Sequence, residues 1–509
     1  MEEFWGVRAA ENPGKSRAWL KASSRRPNPL FSLHLFGWRN NRADVAASII
    51  LLLVLATSRF AAFPASIWEQ DEAYFGCGVI QFDVTANHPH PPGFPLWMVL
   101  GKATSTVVDQ PTRGLRVVSA CASVYIVFPL LSLWCIWLRR ELALAATLLY
   151  LFNPAAWVLS GRAFSEPLAT LLIILTLAYW LDRAPNSAKN TIGSIAAGLC
   201  LLTRAHSVIP LAPVILYQVM RSTTPRQRFA VVTPLLVLVT AGYGAVLISA
   251  GGAGPLLEAT AQHGGYHFGE LAKADLGFGE SGIARAFLVP VAALVWLVAA
   301  MIGVAVSWIQ RRECPGLWPL FLLAVVPFLF LVYGLSWAGN VRYALPLVAL
   351  GWGFAVVGVH RLVGRWCVLL LGLSLIGLVV PIAPELGAYR AVASPPVRAL
   401  ENCLVEARRR GAVIVTDRRL ASFFEYERLR HGIPVTVLHD SQIGVDTPPP
   451  PPWLTVAIFD GTGGLFVGRA STTKTFRCEQ RWLRRLSQDR FLDITVATNA
   501  EIHPVISQN

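Results

Sequence analysis

Apolar runs of roughly 20 residues, the length that crosses about 30 Å of hydrocarbon, recur along most of this chain. They fall at about 45–64, 115–138, 141–160, 163–181, 191–205, 207–220, 229–250, 284–308, 317–336, 341–359 and 366–384. The pattern predicts an all-α membrane bundle of about 11 transmembrane helices, the fifth and sixth being short. After Pro384 the pattern turns to that of a soluble fold. A helix is predicted over 395–410, opened by Pro-Pro, then a buried strand over 411–417, a helical stretch to about 430 and a strand at 433–438. A polyproline spacer at 448–452 precedes a third strand at 454–459. The chain thus divides into a basic tail (1–44), a polytopic membrane part (45–384) and a small α/β domain (385–509). The last holds no Gly-rich phosphate loop and no catalytic cluster, so it is expected to fold separately and to serve packing or acceptor docking.

Composition agrees with a membrane assignment: 54% of the 509 residues are hydrophobic, 15% are charged and 17 are Trp. A net charge of +14 would suggest a nucleic-acid partner in a soluble protein, but its distribution argues otherwise. Arg139 and Arg140, Arg183 and Lys189, Arg221, Arg226 and Arg228, Arg311 and Arg312, and Arg361 and Arg365 mark alternate turns. By the positive-inside rule these turns and the N-terminus are cytoplasmic, and the loops 65–113 and 251–283 and all that follows about 385 lie outside. The span from Val45 lacks a small-residue cleavage site and reads as an anchor. Six of the eight cysteines read as small core residues; Cys403 and Cys478 lie in the outer part, where an oxidising compartment permits a disulfide.

The candidate chemistry gathers on the outer turns. Asp71 and Glu72 follow the first span within Trp-Glu-Gln-Asp-Glu-Ala-Tyr, and either serve a reaction or cap a short interfacial helix. His88-Pro-His90-Pro-Pro-Gly then sets two imidazoles on a backbone whose φ angles proline fixes. The second outer turn holds Arg162 and Glu166, which serve a cavity or pair with each other. The next holds Arg204 and His206, and Asn340-Val-Arg342-Tyr343 opens the tenth span. Each of these arginines either binds phosphate oxygens, which a guanidinium suits, or anchors its helix end at the headgroups; taken together, basic residues on short outer turns run against the positive-inside rule. The loop 251–283, with His263, Tyr266, His267, Glu270 and Asp275 among glycines, reads either as a mobile cover over the site or as an exposed linker.

Asp-Glu-Ala-Tyr after the first span, followed by the His/Pro-Pro segment, resembles the GT-C membrane glycosyltransferases over roughly residues 45–350. Within them it is most similar to the family-39-like branch of the lipid A aminoarabinose transferase and the rhizobial lipopolysaccharide-core transferases, and more distantly to protein O-mannosyltransferases. The resemblance implies a hexosyl- or pentosyltransferase of the bacterial cytoplasmic membrane, moving a sugar from a polyprenyl-phosphate donor to a lipid, glycan or protein acceptor outside. It implies Asp71 as general base with Glu72 beside it. Arg204 and Arg342 are then expected on the leaving phosphate, and His88, His90, Arg162, Glu166, His206, Tyr266, His267 and Tyr343 around the substrates. Asp71, His88 and His90 are candidate ligands for a divalent metal cation, though metal use varies in the superfamily. The rival is a transporter or flippase of lipid-linked sugars. It predicts charges near the bilayer midplane and related halves, whereas the candidate polar residues gather at one face.

Overall fold

A computed structural model of the protein describes residues 30, 35–36, 41–182, 186–271, 282–288, 290–309, 317–332, 340–410, 413–416, 418–432, 437–439, 455–459, 465–467, 472–486, 492–498 and 502–504. The polyproline run, most of the basic tail, Arg311, Arg312 and Asp275 lie outside the described residues. The first helix, α1 (Asn41–Ala61), turns Ile49, Ile50, Leu53 and Val54 outward. Then come α2 (Gln70–Ile80), α3 (Pro95–Val108), α4 (Pro111–Tyr125), α5 (Val127–Trp134), α6 (Arg140–Leu151) and α7 (Pro154–Leu159). They are followed by α8 (Glu166–Trp180), α9 (Ser187–Thr203), α10 (Val208–Arg221), α11 (Pro225–Ser249) and α12 (Ala253–Leu271). The bundle continues through α13 (Gly282–Ala286), α14 (Pro290–Ile309), α15 (Leu317–Phe330), α16 (Leu345–Val363) and α17 (Cys367–Ala391).

Among the described residues, six helices are long and apolar enough to cross a membrane, against the eleven predicted. They lie at Arg42–Ala61, Pro111–Trp134, Pro225–Ser249, Pro290–Ile309, Val341–Val363 and from Cys367 onward. The other apolar runs form shorter helices, and the reasons are local. The run 141–160 breaks at Asn153, whose side chain accepts the Ala155 N–H at 3.1 Å while Pro154 opens the next helix. Helix α8 is only 15 residues long, yet every one of its side chains is buried. It is an interior helix of the bundle, apolar all round because it packs all round. The last span also runs past its predicted end at 384, to Ala391.

One further expectation changes. The glycine-bearing stretch after Ser249 is not a loop: Gly251 and Gly252 take φ of +77° and +121° to turn the chain, and the 19-residue helix α12 follows. The C-terminal residues form α18 (Pro395–Arg410), β1 (Val413–Thr416), α19 (Arg418–His431), β2 (Val437–His439), β3 (Thr455–Phe459) and β4 (Leu465–Val467). After these come β5 (Thr472–Arg477), α20 (Arg481–Leu486), β6 (Asp493–Thr498) and β7 (Ile502–Pro504). Five strands make a sheet in the order β2-β1-β3-β6-β5. Its β1 is parallel to β2 and β3, while β6 runs antiparallel to β3 and β5. Among the described residues, the apolar core of this unit continues onto the bundle. Ala399, Cys403, Phe423 and Tyr426 pack in one apolar cluster with Ile67, Ala73 and Cys77, the last two on α2. Cys403 and Cys478 are both buried and free.

Candidate active site

The ends of four elements meet at one end of the bundle, and each brings a charge. Asp71 lies in the first turn of α2, Glu166 starts α8, Arg204 caps the C-terminus of α9 and Arg342 sits in the 3-10 turn Val341–Ala344 before α16. The two carboxylates stand at helix N-termini, where the unpaired N–H groups favour anions. Sequence separations of up to 271 residues are closed here, between Asp71 and Arg342.

The two adjacent acids of α2 part company. Glu72 is fully buried, and both of its oxygens are taken by the backbone. Its Oε2 accepts the N–H groups of Trp68 at 2.7 Å and Glu69 at 3.3 Å, and its Oε1 accepts the Ala163 N–H at 3.0 Å. Glu72 thus fixes the start of α2 and ties it to the turn before α8, so the capping alternative holds for this residue. Asp71 points the other way and pairs with Arg342, its side chain 24% exposed. The other partners in the cluster, Arg342, Arg204 and Glu166, are each no more than 6% exposed, so Asp71 is the charged group that an incoming molecule reaches.

Of the two alternatives for Arg162 and Glu166, a local pair is not formed. Arg162 donates from Nη1 to Glu69 Oε1 and from Nε to the Tyr389 hydroxyl, both at 2.6 Å, and lies over the Trp68 ring. Glu166 instead faces two guanidinium groups with one oxygen: Arg204 Nη1 pairs with Oε1, and Arg342 Nε is 3.2 Å from it. Asp71, Arg342, Glu166 and Arg204 therefore form a row of alternating sign and zero net charge. Arg204 also donates from Nε to His206 Nε2 at 3.1 Å. Tyr343 lies beneath both cations, 5.0 Å from Arg204 and 5.3 Å from Arg342, with His206 edge-on to it at 5.7 Å. Nη1 of Arg342 is buried with no hydrogen-bond partner among the described residues, so this cation keeps donor capacity for an anion.

The two loop histidines also separate. His90 enters the site. Its ring stacks on His263 of α12 at 4.9 Å and meets Phe94 edge-on at 4.8 Å, and Phe94 in turn lies under Arg204 at 5.8 Å. Burial pushes the His90 imidazole down to about 3, against the opposing pull of Asp71. It is a neutral ring at physiological pH. His88 turns away from the site, with Nε2 3.8 Å from Glu425 of α19, and burial lowers its pKa as well. Tyr266 and His267 lie on α12, but their side chains are outside the described residues. Among the described residues no group of three or more His, Cys, Asp or Glu side chains converges on a common point. With Asp71 held by Arg342 and His88 turned toward Glu425, the three candidate metal ligands do not form a ligand set.

Sequence reasoning missed Glu69, Phe94 and Tyr389. Glu69 had a signal, since its three-residue spacing from Glu72 marks a helix start. Phe94 and Tyr389 had none, because an aromatic residue beside a span is ordinary.

The family model described as the Alg9-like mannosyltransferase family matches residues 93–250. No curated protein matches the chain. Among solved structures, ArnT from Cupriavidus metallidurans, bound to undecaprenyl phosphate, superposes with a TM-score of 0.51 at 12% identity over 89% of this chain and 98% of that one. The oligosaccharyltransferase of Archaeoglobus fulgidus, tethered to an acceptor peptide with the NVT sequon, gives a TM-score of 0.47 at 11% identity over 77% of this chain. A structure of the same enzyme with Zn and sulfate gives 0.46 at 13% identity, over 76% of this chain and 62% of that one. The chain spans about 63% of the length of the peptide-tethered oligosaccharyltransferase.

Proposed function

We infer that this membrane protein of the GT-C glycosyltransferase fold transfers a sugar from a polyprenyl-phosphate donor to an acceptor hydroxyl, with Asp71 as the general base. The observation that carries the inference is the row Asp71, Arg342, Glu166 and Arg204, which joins a partly open carboxylate to two buried guanidinium groups. The chemistry needs both. Asp71 takes the proton of the acceptor hydroxyl as its oxygen bonds to the anomeric carbon. The bond from that carbon to the phosphate oxygen breaks, the electron pair leaves with the phosphate, and the anomeric configuration inverts. Arg204 and Arg342 hold the charge that gathers on the phosphate. Donor oxygens compete with Asp71 for Arg342, so donor binding releases the base for its acceptor. The likeness to ArnT with its undecaprenyl phosphate supports this donor class, and the match to a mannosyltransferase family supports glycosyl transfer.

In this reading Glu72 positions Asp71 rather than moving protons, and His90 and Tyr343 shape the donor site. The site faces the outside of a bacterial cytoplasmic membrane, with the basic turns and the N-terminus in the cytoplasm. The acceptor is a lipid, a glycan or a protein, and the sugar a hexose or a pentose.

The test is reconstitution in liposomes with a synthetic polyprenyl-phosphate sugar, following donor cleavage and donor movement separately. Cleavage by the wild type, lost about 100-fold or more in Asp71→Asn, is expected. Rapid movement of intact donor across the bilayer with no cleavage would establish the transporter in its place.

A further inference from the structure

Helix α2 lies between two cores. Phe75 and Val79 pack with Trp68 into the core of the bundle, whereas Ala73 and Cys77 pack into the core of the C-terminal α/β unit. On that second face the side chains are small, and α19 comes close. A Cβ placed on Gly76 would lie 2.5 Å from Cε2 of Tyr426 and 2.9 Å from Cγ2 of Thr112 on α4. The Tyr426 ring therefore fills the notch that the missing side chain of Gly76 leaves beside Thr112. Its hydroxyl is 3.2 Å from Thr112 Oγ1, in hydrogen-bond contact.

Further contacts run from the same unit to the ends of this segment. Ahead of α2, the Ser394 hydroxyl donates to the Ile67 carbonyl at 2.6 Å, and the Ser394 N–H donates to Ser66 Oγ at 2.8 Å. Beyond α2, His88 faces Glu425, which Arg428 grips with two hydrogen bonds of 2.8 and 2.6 Å. The run that carries Asp71 is thus held at its entry and along its back by residues from 394 onward, and beyond its exit His88 lies close to Glu425 without a hydrogen bond.

We propose that the C-terminal α/β unit sets the position of the catalytic carboxylate: Tyr426 is a positioning residue that wedges α2 against the bundle and so holds Asp71 in register with Arg342. The proposal rests on the assignment of Asp71 as the base. It gives the unit a part in the reaction beyond packing or acceptor docking, through the face of α2 that packs into the unit's core.

The experiment uses the full chain in liposomes with a polyprenyl-phosphate sugar and compares Tyr426→Ala with Tyr426→Phe. Hydrogen exchange of the α2 amides, read by mass spectrometry, accompanies kcat and the donor KM. In Tyr426→Ala, α2 exchange is expected to rise and kcat to fall about 10- to 100-fold, the range for a reacting group displaced by about 1 Å, with the donor KM unchanged or lowered, because Asp71 then competes less with the donor for Arg342. Tyr426→Phe keeps the ring in its notch and should restore both readouts. Wild-type exchange in Tyr426→Ala, or raised exchange with unchanged kcat, overturns the proposal. If the wild type itself transfers no sugar, the functional assignment falls. The exchange data then decide alone, and wild-type exchange in Tyr426→Ala still overturns the wedge.

Discussion

Replacing Glu72 by Gln separates the two adjacent acids of α2 by opposite signatures. The carboxylate of Glu72 accepts three backbone N–H groups, from Trp68 and Glu69 on one oxygen and from Ala163 on the other. A Gln side chain has one acceptor oxygen, so its NH2 must face either Ala163 or the Trp68 and Glu69 pair, donor against donor. At least one charge-assisted hydrogen bond disappears, worth roughly 1.5–3 kcal/mol, and a buried N–H is left without an acceptor at a further cost of about 1–3 kcal/mol. The expected loss is therefore about 2.5–6 kcal/mol, enough to lower the folded-to-unfolded ratio by roughly 70-fold or more. Asp71→Asn removes a partly exposed carboxylate and costs far less stability, but it takes away the proton acceptor. Thermal unfolding of purified protein in lipid nanodiscs, followed by Trp fluorescence, should show a marked fall in Tm for Glu72→Gln and little change for Asp71→Asn. Donor cleavage at a temperature where both are folded should show the reverse ranking. An unchanged Tm in Glu72→Gln with collapsed turnover would refute the argument and return Glu72 to the chemistry.

Arg204→Ala and Arg342→Ala should each weaken donor binding by roughly 1.5–3 kcal/mol, about 10- to 150-fold in Kd, measured by titration with polyprenyl phosphate; wild-type affinity in both variants would remove them from the phosphate site. Single cysteines at positions 71 and 428 should label from the same side of the membrane, because α19 packs on α2, and labelling from opposite sides would contradict the packing. The His90 imidazole is depressed to about 3 in the folded protein from about 6.5 in an unfolded chain. The unfolded state therefore binds the extra proton between these values, and stability falls as the pH drops from about 6.5 toward 3. Tm measured against pH in wild type and His90→Asn should converge as the pH is lowered through this window.

Much of the membrane part was legible in the chain because burial in lipid or in a bundle writes itself as continuous apolar runs. The strand positions at 413–416, 437–439 and 455–459 were likewise visible as short apolar runs between turn residues. The number of long spans was not, since an interior helix such as α8 is as apolar as a lipid-facing one, and hydropathy does not tell protein from lipid as the apolar neighbour. The candidate residues Asp71, Glu166, Arg204 and Arg342 were identifiable one at a time, because a charge beside a span is costly and stands out. Their partners were not. Arg162 and Glu166 are four residues apart and look like a local pair, yet each is taken by residues from distant turns, Arg162 by Glu69 and Tyr389, and Glu166 by Arg204 and Arg342. Likewise, two neighbouring acids and two neighbouring histidines are equivalent on paper. Side chains one residue apart on a helix point about 100° apart, so Glu72 meets the backbone while Asp71 meets Arg342. Across the proline turns of the loop, His90 meets His263 and His88 meets Glu425. Composition and periodicity determined what kinds of groups the protein carries to one end of its bundle. Which of them face one another is a property of contacts spanning hundreds of residues, and only the folded chain decides it.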